Sequence, residues 1–147
     1  MILDLDVRDK KAAIRDMLGL LVEQGKLDEE TVKKAEKAVQ KRESQASTGI
    51  GKCLGVPHAK ACGFVENALV GVYARCVTGL PYESVDGEPV HVLFLVLSSE
   101  AGADEHLSIM KRIASLHRDE KSLRFMMQST NASSITEIFR ETDELFC

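Results

Sequence analysis

Val90-His91-Val92-Leu93-Phe94-Leu95-Val96-Leu97 is apolar at every position but one. A strand with one wet face alternates apolar and polar residues. A nearly unbroken run needs cover on both faces, at the centre of a sheet with helices packed around it. Upstream, Asp86-Gly87 is a turn signal. Before it, residues 69–76 alternate weakly and include β-branched and aromatic side chains, which predicts a second strand. Downstream, three helices are expected over about 104–117, 119–129 and 135–145, the last opened by Ser134-Ile135-Thr136-Glu137 as a capping box. Toward the start of the chain, a helix over 10–24 places Ile14, Met17, Leu18, Leu21 and Val22 on one face, with Asp9 as N-cap and Gly25 as stop. A second helix runs from Asp28 to about Arg42 with Val32, Ala35, Ala38 and Val39 inward. Residues 44–55 hold three glycines and three hydroxyl residues, which predicts a loop leading to a short extended piece that ends at Pro57. The expected fold is an α/β domain, a mixed β-sheet flanked by helices, spanning 1–147.

Bulk properties narrow the function classes. The 147 residues suffice for a core of their own, and 44% hydrophobic with 29% charged residues is globular composition. A net charge of -4 and a pI near 5.6 argue against a nucleic-acid partner. The clustered basic residues Lys33, Lys34, Lys37, Lys41 and Arg42 are interleaved with Glu29, Glu30, Glu36 and Glu43, which reads as a solvated helix face. No apolar stretch approaches a membrane span, and the start Met1-Ile2-Leu3-Asp4-Leu5-Asp6 lacks the pattern of a secretory leader, so a cytoplasmic protein is expected. Cys53, Cys62, Cys76 and Cys147 show no close pairing, and reduced thiols are the default. Asp4, Asp6 and Asp9 are read as capping and solvating the first helix.

The chemistry concentrates around one histidine. Arg42-Glu43, Ser47-Thr48-Gly49-Ile50-Gly51 and Val56-Pro57-His58-Ala59 set His58 directly after a proline, downstream of glycines, hydroxyls and an arginine. Glycines let backbone N–H groups approach an anion, hydroxyls add donors, and arginine supplies a planar fixed charge. A histidine in that company is able to carry a phosphoryl group on a ring nitrogen, provided the other nitrogen is held by an acceptor. From the residues alone His58 reads equally as a structural histidine at a strand end. His106 falls in the first turn of a predicted helix, where the dipole favours an anion; the alternative is a polar residue facing water. His91 reads as a hydrogen-bonded structural or rim histidine, and His117 as a helix-terminal one with no catalytic part. Cys53, His58 and Cys62 lack the spacing of a known zinc knuckle, and no metal is assigned. Leu54, Val56, Phe64 and Ile50 form either an apolar docking patch around His58 or ordinary core.

The same blocks resemble the signature of enzyme IIA domains of the bacterial phosphoenolpyruvate-dependent sugar phosphotransferase system, in its fructose, mannitol and nitrogen-regulatory branch. The similarity continues through Tyr82-Glu83-Ser84-Val85-Asp86-Gly87-Glu88-Pro89-Val90, the apolar strand, and Glu105-His106-Leu107, so that it covers essentially the whole chain. The resemblance implies an α/β sandwich and a phosphocarrier. In it His58 accepts a phosphoryl group from the histidine phosphocarrier protein, with His106 beside it and Arg42 helping to hold the group. Thr48, Gly49, Gly51 and Lys52 are candidates for further phosphoryl-binding groups. The scheme requires no cofactor. The implied receiver is a IIB component or a regulatory target, and the absence of an attached transporter domain tilts the expectation to the nitrogen-regulatory branch. A non-catalytic regulatory binding module on the same fold is the alternative. Lys52 and Cys53 depart from the family pattern, which usually carries asparagine and a small residue there.

Overall fold

The computed structural model describes residues 1–146, with side chains for all of these but 139 and 141–146. Among the described residues, five strands form one mixed sheet: β1 (Gly49–Gly51), β2 (Leu54–Gly55), β3 (His58–Ala59), β4 (Leu69–Leu80) and β5 (Val90–Ser98). The central strand is β5, as its apolar run demands. Along one edge β4 pairs with it antiparallel, from Leu69↔Ser98 to Arg75↔Val92. Along the other, β2 and then β3 run parallel to it, with Leu54 opposite Val92 and His58 opposite Val96. Pro57 sits between these two short strands. It has no N–H for the ladder, but its carbonyl accepts from Val96 N at 3.0 Å.

Strand alternation divides the core in two. Val70, Val72, Ala74 and Cys76 of β4, with Leu93, Leu95 and Leu97 of β5, face α1 (Lys10–Glu23) and α2 (Glu29–Gln45). Tyr73, Val92, Phe94 and Val96 face the other way. They pack with Ile113 and Leu116 of α3 (Ala103–Arg118), Leu123 and Met126 of α4 (Glu120–Gln128) and Ile135 of α5 (Ala132–Phe146). The result is the mixed sheet with helices on both faces.

The first two helices start where expected: Asp9 accepts from Ala12 N and Asp28 from Thr31 N. Gly25 follows the end of α1 at φ +70°, a left-handed conformation that glycine adopts without strain.

Four expectations need correction. The segment 44–55 is not a loop, because α2 continues to Gln45 and β1 and β2 form a hairpin. The second strand runs four residues past Cys76, through a register shift to Leu80↔Val90. The helix expected over about 135–145, capped by Ser134, begins at Ala132, because Asn131 Oδ1 accepts from Ser133 N and Ser134 N and supplies the cap. Glu43 is not on a solvated face but only 5% exposed. Cys147 lies outside the described residues.

Candidate active site

The β3 end of the sheet and the ends of α2 and α3 meet at a cleft of about 480 Å³, walled by Lys41, Arg42, Gln45, His58, Lys60 and His106 among others. The three residues singled out for chemistry, His58, His106 and Arg42, are brought together here from positions far apart in the chain.

His58 opens β3 and is half-buried. Its Nδ1 lies 2.7 Å from the carbonyl oxygen of Val56. A carbonyl only accepts, so Nδ1 carries the proton and donates, and in the neutral ring the lone pair is left on Nε2. His106 is 8% exposed in the first turn of α3, with Nδ1 2.8 Å from Ser98 Oγ at the end of β5. The two imidazole centroids are 5.7 Å apart and their planes tilted by 57°. Arg42 sits in the last turn of α2, where Nη1 donates to the carbonyl of Ala46 at 2.9 Å.

Electrostatics favour neutral rings. Burial lowers the pKa of His58 most; the fields of Arg42 and Lys60 lower it further, while the Val56 hydrogen bond and Glu43 oppose them. His106 is lowered by burial, then by His58 and Lys60. Both rings are therefore held below the ordinary value of about 6.5. Two neutral rings facing cationic walls suit an incoming anion.

The remaining candidates are engaged elsewhere. Thr48 is buried, with its N–H donating to Glu43 Oε1 at 2.9 Å and its hydroxyl to Glu43 Oε2 at 2.5 Å. Gly49 packs so closely against Ser84 that a Cβ there would collide with Ser84 Oγ. Gly51, Lys52 and Cys53 form the β1–β2 turn with φ of +92°, +53° and +67°. Lys52 donates its N–H to Asp86 Oδ2 at 2.9 Å and places Nζ 3.7 Å from Glu120. Thr48, Gly49, Gly51 and Lys52 are thus absent from the cleft walls, whereas Lys41, Gln45 and Lys60 are present. Leu54 and Val56 are core, while Phe64 and Ile50 pack at its margins. His91 is structural, its Nδ1 donating to the Cys76 carbonyl at 2.9 Å. Among the described residues no three His, Cys, Asp or Glu side chains converge as a metal site, and no helix is long and apolar enough to cross a membrane.

Two engaged residues, Glu43 and Ser98, carry a periodicity signal in the sequence. Glu43 continues the buried stripe Ala35, Val39 at a spacing of four, and Ser98 continues the face of Val92, Phe94 and Val96 at a spacing of two.

A mixed sheet between two helical layers, presenting paired imidazoles and an arginine at one strand end, defines a histidine-centred α/β class. The chain matches the model of the family described as the phosphoenolpyruvate-dependent sugar phosphotransferase system, EIIA 2, over residues 1–142, and it belongs to that family. It is 30% identical over 142 residues to the fructose-specific EIIABC component of Bacillus subtilis, covering 97% of this chain but only 22% of that much longer protein. It is 29% identical to a nitrogen regulatory protein of Bradyrhizobium diazoefficiens, over 91% of this chain and 84% of the relative. Among solved structures, the nitrogen regulatory protein IIA-Ntr of Neisseria meningitidis superposes with a TM-score of 0.83 at 25% identity, covering 94% of this chain and 91% of that one. The fold is also that of enzyme IIA mannitol of Escherichia coli, solved in complex with phosphorylated enzyme IIB mannitol, with a TM-score of 0.79 at 17% identity over 95% and 93% of the two chains.

Proposed function

We propose that this chain is a phosphocarrier of the phosphotransferase system, with His58 as the residue that takes and gives the phosphoryl group. The observation that carries this reading is the tethered His58 ring. With Nδ1–H held by Val56, the Nε2 lone pair is presented to a cleft whose walls hold Arg42, Lys60 and His106. In the transfer, Nε2 forms a bond to phosphorus while the bond from phosphorus to the donor imidazole breaks, and that electron pair returns to the donor ring. Nε2 has no proton to lose, so the step needs positioning and charge compensation more than a general base. Arg42 offers a planar fork of donors to the phosphoryl oxygens. In the tautomer where His106 Nδ1 accepts from the Ser98 hydroxyl, its Nε2–H donates beside it.

The donor in this reading is the histidine phosphocarrier protein. The receiver is a IIB component, as in the mannitol complex of the same fold, or a regulatory target, as the nitrogen-regulatory relatives suggest. Incubation with phosphoenolpyruvate, enzyme I and the histidine phosphocarrier protein, followed by intact mass measurement, tests it. The expected result is one acid-labile phosphoryl group on the wild type and none on His58→Ala. A wild type that stays unmodified beside an active donor system would leave a binding module on the family fold.

A further inference from the structure

We infer that Thr48, clamped by Glu43, is a positioning residue that fixes the tautomer and aim of His58 through the backbone of Val56. This rests on His58 being the phosphoryl acceptor.

The chain of contacts is continuous. Glu43 is the residue after Arg42 in α2, and its carboxylate is buried among four donors. These are Thr48 N at 2.9 Å, Thr48 Oγ1 at 2.5 Å, Lys10 Nζ at 3.3 Å and Tyr82 Oη at 3.4 Å. A buried carboxylate so satisfied is a rigid anchor, whereas one stripped of partners is costly. Thr48 gives both its N–H and its hydroxyl to this anchor. Its own carbonyl then accepts from Val56 N at 3.0 Å across the β1–β2 hairpin. The carbonyl of Val56 in turn accepts from His58 Nδ1 at 2.7 Å. Each link constrains the next, and the last one decides which nitrogen of the acceptor ring keeps its lone pair.

The anchor also reaches the other side of the cleft. Since Glu43 follows Arg42 directly, the bonds that hold Thr48 also hold the last turn of α2 against β1. One carboxylate therefore sets the spacing between the guanidinium and the imidazole it serves. Displacing a reacting group by about 1 Å through a distant change is able to cost up to ~100-fold in rate. The hairpin route explains why a threonine in the glycine-rich segment is buried and not turned to the cleft. Its hydroxyl serves the carboxylate, and the effect on chemistry passes through main-chain atoms.

Thr48→Val removes the hydroxyl and preserves shape and backbone N–H. Nitrogen-15 NMR of the imidazole rings distinguishes Nδ1–H from Nε2–H and needs no phosphoryl donor. The wild type is expected to show His58 as the single Nδ1–H tautomer. Thr48→Val is expected to show a mixture, with phosphoryl gain slowed between about ten- and a hundredfold. Thr48→Ser should restore both. If Thr48→Val does not fold, Glu43→Gln, which opposes an amide N–H₂ to one of the Thr48 donors, should show the same mixing. A variant that melts earlier but keeps the wild-type tautomer and transfer rate would overturn the relay and leave Thr48 purely structural. A wild type that takes no phosphate would overturn the phosphocarrier reading instead, and the tautomer comparison would still decide the relay.

Discussion

The rings of His58 and His106 stand 5.7 Å apart, tilted by 57°, each tied at Nδ1 to a different part of the central sheet. His58 is tied to the main chain of Val56, just after β2, and His106 to the side chain of Ser98 at the end of β5. Their separation is therefore set by adjacent strands of one sheet and not by the loops around them.

Replacing His106 tests the second ring. His106→Ala removes the donor expected beside the phosphoryl group and leaves the fully buried Ser98 hydroxyl without its partner. Transfer to His58 should slow about 10²–10³-fold, and stability should fall by about 1–2 kcal/mol from the orphaned hydroxyl. Rapid-quench mass measurement gives the first and urea denaturation the second. His106→Ala with Ser98→Ala should recover the stability and not the rate.

Arg42 separates charge from geometry. Its one described hydrogen bond, to the exposed Ala46 carbonyl at the end of α2, is worth less than about 1 kcal/mol. Arg42→Met should therefore leave stability nearly unchanged while slowing phosphoryl transfer by about 10²-fold. Arg42→Lys should recover only part of the rate, since an ammonium on a flexible stem does not reproduce a planar fork. Single-turnover transfer from the phosphorylated donor is the measurement.

Periodicity made the architecture legible. The run at 90–97 names its own position in the sheet, and the stripe Ile14, Met17, Leu18, Leu21 names the buried face of α1. His58, His106 and Arg42 were legible as a set only through the resemblance of the blocks that contain them. Glu43 was not, because the interleaved lysines and glutamates of α2 set one signal against another. Charge alternation suggested a wet face, while the spacing of four from Ala35 and Val39 placed Glu43 inward. Burial won because Thr48, Tyr82 and Lys10 satisfy the carboxylate, and those partners come from segments that no local pattern connects to α2. The surroundings of Thr48 were hidden for the same reason. A hydroxyl beside glycines suits a phosphate, and only the folded hairpin shows that it turns inward.

Both cleft histidines carry a sign that pH reveals. Their folded pKa values lie below the ordinary 6.5, chiefly through burial. Between the depressed and ordinary values the unfolded chain therefore binds more protons than the folded one, and stability rises with pH across that interval. On acidification, stability should start to fall near pH 6.5 and level off, for these two groups, once both folded rings are protonated. Acceptor competence should persist below pH 6.5, because Nε2 of His58 keeps its lone pair there. Nitrogen-15 NMR titration of the two rings, with urea denaturation across the same pH series, checks both statements. A His58 that titrates at or above the value of a free side chain would overturn them.

Lys52 distinguishes the sequence expectation from the geometry. It stands where the family usually has asparagine, and it adopts φ +53° next to Cys53 at +67°. This left-handed conformation costs an ordinary residue about 1–2 kcal/mol, and asparagine tolerates it better. The ion pair of Lys52 with Glu120 joins two exposed side chains at 3.7 Å, so its loss costs at most about 1 kcal/mol. Lys52→Asn keeps the backbone N–H that Asp86 accepts and should stabilise the fold by about 0.5 kcal/mol, read as a higher urea midpoint with unchanged slope. The same variant bears on function. A lysine supplying charge to the phosphoryl group would slow transfer when replaced, whereas a lysine pinned at the hairpin tip between Asp86 and Glu120 would not. The geometry calls for an unchanged rate. A slowed rate in a stabilised variant would return Lys52 to the site.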